Sequence, residues 1–224
     1  MGRYDRNGIF SSEDMKQIHT AHVCVIGSGG LGGYIIEMLA RVGIGEITIV
    51  DGDVFDESNL NRQLFSTSEN LGRIKVFEAE KRIAQINPET TIHAIHTLLD
   101  ENNAISIFES ADLVVDGLDN VPARLVTQMA CEKLQIPLIH GAIAGWYGQV
   151  TTILPGDRTL DRLYKSSQET GIEKDLGNPS FTPAMIASIQ VSETLKVLLG
   201  KEEILRNRIL MIDLLDNEFQ ILTI

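Results

Sequence analysis

The pattern of apolar and polar residues in this chain predicts an α/β fold: a mostly parallel sheet with helices on both faces, continued at its C-terminal side by a mixed β extension. Three observations carry that expectation. Strand-like runs recur at 22–27, 46–51, 91–96, 112–116 and 137–142, with helix-like segments between them at about 31–42, 72–86, 101–109 and 121–134. The first run, Val23-Cys24-Val25-Ile26, leads directly into Gly27, Gly29 and Gly32 at G-x-G-x-x-G spacing, with an extra Gly30, and a helical pattern follows at once. That strand–turn–helix context makes the fold Rossmann-like and marks a phosphate cradle, in which backbone N–H groups meet an anion at the positive end of a helix. Third, after residue 145 the alternation gives way to strand-like runs with one long helix among them.

Taken in order, residues 1–20 read as an N-terminal arm and helix, and 21–145 as the Rossmann-like nucleotide-binding part. The second strand ends in Asp51, about twenty residues past the glycines, where a ribose hydroxyl would be held. Residues 146–154 read as a further strand, broken by Pro155-Gly156. The stretch 157–181 is a polar, charged crossover, too long for an ordinary connection and therefore expected to be functional or mobile. Thr182-Pro183 opens a long helix that Gly200 closes, with Ile186, Ile189, Leu195 and Leu198 as its core face. The runs 208–214 and 218–224 around Leu215-Asp216-Asn217 read as a terminal hairpin. A single domain spanning 1–224 is expected.

Composition narrows the function. The chain is 43% hydrophobic and 22% charged, and no apolar run reaches the ~20 residues of a membrane span. A net charge of -12 argues against nucleic-acid binding, which depends on neutralising phosphates. Cys24 and Cys131, one in the first strand and one in a helical stretch, support neither a disulfide framework nor a zinc site and read as small buried hydrophobes. With no apolar signal segment at Met1-Gly2-Arg3-Tyr4-Asp5-Arg6, the expected compartment is the cytoplasm.

Polar residues gather around the predicted carboxyl edge of the sheet. Asp51-Gly52-Asp53 is followed by Asn59-Leu60-Asn61-Arg62-Gln63, then Gly72-Arg73-Ile74-Lys75, and later Asp116-Gly117-Leu118-Asp119-Asn120. Each has an ordinary explanation: Arg62 as a surface cation, Lys75 as the polar face of a helix, Asp119-Asn120 as a helix cap. Together they match what a magnesium-bound triphosphate requires, namely cations to offset charge, carboxylates for the metal and an acid for the ribose. No G-x-x-x-x-G-K-[ST] run is present, which excludes a P-loop.

These residues resemble the ThiF/MoeB/HesA adenylyltransferases, bacterial relatives of the ubiquitin-activating enzymes. The shared pieces are Arg3-Tyr4-Asp5-Arg6, the Gly27-to-Gly32 loop, Asp51-x-Asp53, Asn59-Leu60-Asn61-Arg62-Gln63, Gly72-x-x-Lys75 and Asp119-Asn120, in the family's order over nearly the whole chain. The resemblance implies ATP over Gly27, Gly29, Gly30 and Gly32, with Asp51 on the ribose. It places Asn59, Arg62, Gln63 and Lys75 at the phosphates or the strand edge beside them, with Asn120 also at the nucleotide. Mg2+ would be held by Asp119, with Asp53 as a helper. Arg6 would reach the ATP of a partner subunit in a homodimer. The implied substrate is the C-terminal glycine carboxylate of a small ubiquitin-like sulfur-carrier protein ending in Gly-Gly, in thiamine or molybdopterin biosynthesis. A carboxylate is already ionised at pH 7, so the chemistry needs no general base. None of the five histidines stands in a nucleophile–base arrangement, and His93 and His96, three apart, are expected on opposite faces.

The chain departs from the family in three places. It lacks the paired C-x-x-C motifs of many relatives, so no zinc site is expected. It lacks a cysteine in 157–183, where many relatives keep an acceptor thiol; Ser166, Ser167 and Thr170 stand there instead, beside the cations Arg158, Arg162, Lys165 and Lys174. Gln128 stands where many relatives carry asparagine, four residues after Arg124. The rival readings are adenylation of a peptide or tRNA-bound carboxylate, a silent heterodimer partner, and an NAD-binding module.

Overall fold

The computed structural model describes residues 2–164 and 176–224. Its core is an eight-stranded sheet: β1 (His22–Ile26), β2 (Glu46–Val50), β3 (Thr91–Ile95), β4 (Leu113–Asp116), β5 (Leu138–Ala144), β6 (Tyr147–Ile153), β7 (Arg208–Asp213) and β8 (Glu218–Thr223). The order across the sheet is β3-β2-β1-β4-β5-β6-β7-β8. Pairing is parallel from β3 through β5 and antiparallel from β5 to β8, so the expected mixed extension is present. Strands β1 and β4 are buried throughout, as strands covered on both faces must be.

Among the described residues seven α-helices accompany the sheet: α1 (Ser12–Thr20), α2 (Gly30–Val42), α3 (Lys75–Ile86), α4 (Ala104–Phe108), α5 (Val121–Leu134), α6 (Thr159–Leu163) and α7 (Phe181–Leu198). They divide between two cores. Ile35 and Leu39 of α2, Ile83 of α3 and Ile186 of α7 pack on the face carrying Val23, Val25 and Ile49. Phe108 of α4, Cys131 of α5 and Leu160 of α6 pack on the face carrying Cys24, Ile26 and Val114. Both cysteines are buried, as their apolar surroundings in the sequence indicate.

Three expectations need correction. The helix expected over 72–86 begins at Lys75, because Gly72 takes a left-handed φ of +78° and Ile74 makes an antiparallel bridge with Val54 instead. The helix expected over 101–109 is confined to Ala104–Phe108; the Asp100 carboxylate accepts from the backbone N–H groups of Asn102 and Asn103 and holds a turn there. The crossover 157–181 is not polar throughout. Its Leu160 is fully buried, and α6 forms because Leu160, Leu163 and Tyr164 place apolar groups on one helical face. Gln128 Oε1 accepts from Leu160 N at 2.8 Å, so the longer amide at the departing position reaches the start of α6. The expectations for Lys165, Ser166, Ser167, Thr170 and Lys174 lie outside the described residues. Among the described residues no helix is long and apolar enough to cross a membrane.

Candidate active site

Strand β1 is flanked by β2 on one side and β4 on the other, so the chain reverses direction across the sheet between β1 and β4. In open α/β sheets the crevice outside the strand ends at that point is the binding position. A cleft of about 590 Å3 opens there, within the ~300–1,000 Å3 of small-molecule sites. Its lining includes Gly27, Gly29 and Gly30 after β1, Asp51 and Asp53 after β2, and Asp119 and Asn120 after β4, with Arg62, Gln63 and Lys75 from the segments between β2 and β3.

The glycines have separate jobs. Gly27 has φ +86°, and a Cβ on it would lie 2.7 Å from the Gly117 carbonyl oxygen, so the turns after β1 and β4 close on each other only without a side chain. Gly32 lies off the cleft lining: a Cβ there would stand 1.8 Å from the Gly27 carbonyl oxygen, so its absence lets α2 pack onto the turn. Helix α2 begins at Gly30 with Gly29 as its cap and no side chain on its first N–H groups. That is a helix end suited to an anion.

Asp51 lines the cleft but is also spoken for. One carboxylate oxygen accepts from Ser28 N (2.7 Å) and Ser28 Oγ (3.0 Å), the other from Asp53 N (2.9 Å), which holds the acid against the glycine turn. Asp53 and Lys75 form an ion pair of 3.0 Å, the lysine side chain 7% exposed and the carboxylate 64%. Arg62 lies near Gly30, its Nη1 donating to Ser58 O and Asn61 Oδ1. Gln63 lies against Gly29, and its Oε1 is buried without a hydrogen-bond partner. Such an atom on a cleft wall is an acceptor available to a ligand.

Two further predicted residues, Asn59 and Arg6, join Gly32 off the cleft. Asn59 is buried; its Oδ1 accepts from Asp56 N, and its carbonyl accepts from Arg62 N and Gln63 N. It shapes the turn that presents Arg62. Arg6 is exposed on the N-terminal arm, whose Tyr4 and Asn7 bind Glu89 and the Val42 carbonyl near the C-terminal ends of α3 and α2. That is the opposite end of the sheet from the glycine turn. Asn120 does line the cleft, and its Oδ1 caps α5 through Ala123 N at 2.9 Å.

Beneath the cleft lies a buried polar network that the sequence did not disclose. Asp116, fully buried at the end of β4, accepts from His140 Nδ1 at 2.6 Å and faces Arg124 Nε at 3.5 Å. Arg124 donates through Nη2 to the Leu118 carbonyl (2.7 Å) and through Nη1 to Tyr164 Oη (3.1 Å), and it lines the cleft from below. Tyr164 Oη lies 3.2 Å from His140 Nε2, and Gln190 Nε2 donates to the Asp116 carbonyl. Burial pushes the His140 pKa below its usual value, against the opposing pull of Asp116. The available signal was a histidine inside the apolar run of β5. His140 pairs with an aspartate, a partnership the sequence reading did not name, and no attacking nucleophile completes the arrangement among the described residues. His93 and His96 do face opposite ways, one toward the His22 ring and the other toward Phe77.

The ThiF family profile matches residues 4–224. The chain belongs to the ThiF family. Among curated relatives it is 33% identical to the SAMP-activating enzyme E1 of Haloferax volcanii, over 98% of this chain and 84% of that one. It is also 33% identical to the sulfur carrier protein adenylyltransferase of Thermus thermophilus, over 100% of this chain and 87% of that one. Among solved structures, Escherichia coli tRNA N6-threonylcarbamoyladenosine dehydratase in complex with ATP superimposes with a TM-score of 0.76 at 24% identity, covering 89% of this chain and 94% of that one. That likeness is one of fold. In this ThiF-family chain the cleft is walled by the glycine turn, Asp51, Arg62, Lys75 and Asp119 that the sequence singles out.

Proposed function

We propose that this chain is an adenylyltransferase that activates the C-terminal carboxylate of a small ubiquitin-like sulfur-carrier protein, using ATP and releasing pyrophosphate. The observation that carries the reading is the convergence of Arg62, Lys75, Asp53 and Asp119 with the open N-terminus of α2 around one cleft. An NAD site has less need of two cations and a second metal-capable acid than a magnesium-bound triphosphate has. The relatives, a SAMP-activating enzyme E1 and a sulfur carrier protein adenylyltransferase, support the substrate class.

In this reading the triphosphate lies against α2 and the ribose beside Asp51. Lys75, held by Asp53, and Arg62, held by Ser58 and Asn61, offset phosphate charge from fixed positions, so little reorganisation accompanies the reaction. The carrier carboxylate attacks the α-phosphorus, the bond to the β-phosphate bridging oxygen breaks, and its electron pair leaves with pyrophosphate. Positioning and charge stabilisation supply the acceleration. The hard carboxylate oxygens of Asp119 and Asp53 fit Mg2+, whose chemistry when bound is to neutralise charge on the leaving phosphates.

Arg6, remote from the cleft of its own chain, enters the reading through a homodimer in which it reaches the partner's nucleotide. The test is pyrophosphate exchange with Mg-ATP against a panel of purified carriers ending in Gly-Gly. Exchange with one carrier is expected, with R6A and D119A each inactive alone and partly active when mixed. Exchange supported only by a peptide or a modified tRNA would assign a different carboxylate; stabilisation by NAD and not by ATP would end the adenylation reading.

A further inference from the structure

The carboxyl edge of the sheet holds the cleft, and the amino edge holds a second cluster of ligand-bearing side chains. We propose that His22, Glu46 and His93 form a binding site for a borderline transition-metal dication of the zinc or cobalt type. His22 begins β1 and precedes the glycine turn by five residues, so the site lies about 16 Å from the nucleotide cleft along the strand.

The register puts the three on one surface. In the parallel ladder His22 stands beside Glu46, Glu46 beside Thr91 and Thr48 beside His93, and alternate residues of a strand share a face. His22, Glu46, Thr48 and His93 therefore project from the same side of three adjacent strands. One ligand atom from each of His22, Glu46 and His93 lies within 4.8 Å of the other two, a spread that one ion spans with small side-chain movements. Helix α4, five residues long, is too short to cover this end of the sheet, and the Glu46 and His93 side chains are about half exposed while His22 is buried. The set thus combines one rigid ligand with two adaptable ones and an open side.

The protonation pattern suits a metal. His22 Nδ1 lies 2.8 Å from the Ser110 carbonyl, which can only accept, so in the neutral imidazole that nitrogen carries the proton and Nε2 carries the lone pair. A metal-bound histidine is usually oriented this way, through a carbonyl on its other nitrogen. The Nε2 lone pair now takes the Thr48 hydroxyl at 2.8 Å, and His93 Nε2 lies 3.1 Å from Glu46 Oε2. A cation would replace the hydroxyl proton at one nitrogen and the imidazole proton at the other. Two imidazoles and one carboxylate select zinc, cobalt or nickel over magnesium or calcium, which prefer all-oxygen shells. Three protein ligands and an open position also match the coordination zinc accepts. Since β3 is the edge strand, the ion would tie that edge to β1.

The test uses the full chain stripped of metal, titrated with Zn2+ by calorimetry and with Co2+ by absorbance. One equivalent should bind and raise the melting temperature. H93A and E46Q, both at exposed positions, should each weaken binding at least about tenfold and remove the thermal effect, while H96A should change neither. Because a His22 variant risks the fold, T48V reads that ligand instead: freeing Nε2 should tighten binding at least about threefold. Absence of a one-to-one complex, equal binding by H93A, or no response to T48V would each overturn the proposal.

Discussion

On the rim of the cleft, Asp119 is exposed and takes one long hydrogen bond, 3.4 Å from Asn120 Nδ2. In the floor, three residues earlier, Asp116 is fully buried and meets His140, Arg124 and the Leu118 backbone N–H. The two acids share a turn and a residue type, yet one is open to solvent with a single long hydrogen bond and the other is buried among three partners. The exposure differs in the same way across the region: Asp53 and Arg62 keep part of their surface free, whereas His140 and Gln190 are buried completely, although Gln190 Oε1 lacks a hydrogen-bond partner there. A rim built this way is poised for a ligand that supplies the missing contacts. A floor built this way positions the rim, since Arg124 holds the Leu118 carbonyl one residue before Asp119.

The sharpest way to break the contrast is to remove each acid in turn. D119A should reduce pyrophosphate exchange by at least about a hundredfold, the scale of losing one preorganised electrostatic contact, with the denaturant midpoint unchanged. D116A should do the reverse first. It leaves Arg124 and His140 buried without their carboxylate, a loss of about 3–5 kcal/mol that urea denaturation would register. Equal stability of D116A and the unsubstituted chain would show that the floor does not carry the role assigned to it.

A smaller effect should appear with pH. Burial holds the folded His140 pKa below its usual value. As pH falls through about 6.5, the unfolded chain takes up a proton that the folded chain still refuses, so this histidine's contribution to stability is present above that pH and is lost on the way down to the folded pKa. H140Q should flatten the dependence of the denaturant midpoint between about pH 7.5 and 5.5. A slope identical in both proteins would assign it to other groups.

The smallest change concerns the cysteines. Burial raises the pKa of both thiols, which keeps them protonated and poorly nucleophilic. The C24A, C131A double variant should retain exchange and lose about 1–3 kcal/mol of stability. A dithiothreitol-sensitive carrier adduct formed by the unsubstituted chain and not by the double variant would place a thiol in the chemistry and move part of the floor into the reaction.

Much of the rim was legible in the sequence. Gly27, Gly29, Gly30, Asp51, Asp53, Arg62, Gln63, Lys75, Asp119 and Asn120 all line one cleft: the glycines and aspartates follow strands whose periodicity is local, and Arg62, Gln63 and Lys75 belong to short motifs between β2 and β3. Asn59 and Gly32 belong to the same motifs but serve the backbone behind the surface, a distinction that motif spacing does not encode. The floor was almost invisible. Asp116 and His140 lie 24 residues apart, Arg124 and Tyr164 lie 40 apart, and α6 looked polar until Leu160 found its core.

By itself, then, the amino-acid order determined the alternation of strands and helices, the glycine turn and the family motifs, since these depend on neighbours within a few residues and on side-chain period. Only the tertiary structure decided which of two nearby aspartates is buried and which is open, that Arg6 lies away from the cleft of its own chain, and that His22, Glu46 and His93 share one face. Those outcomes follow from how parallel strands are ordered and which helix covers which end of the sheet. They are long-range properties, set by packing elements that are far apart in the chain.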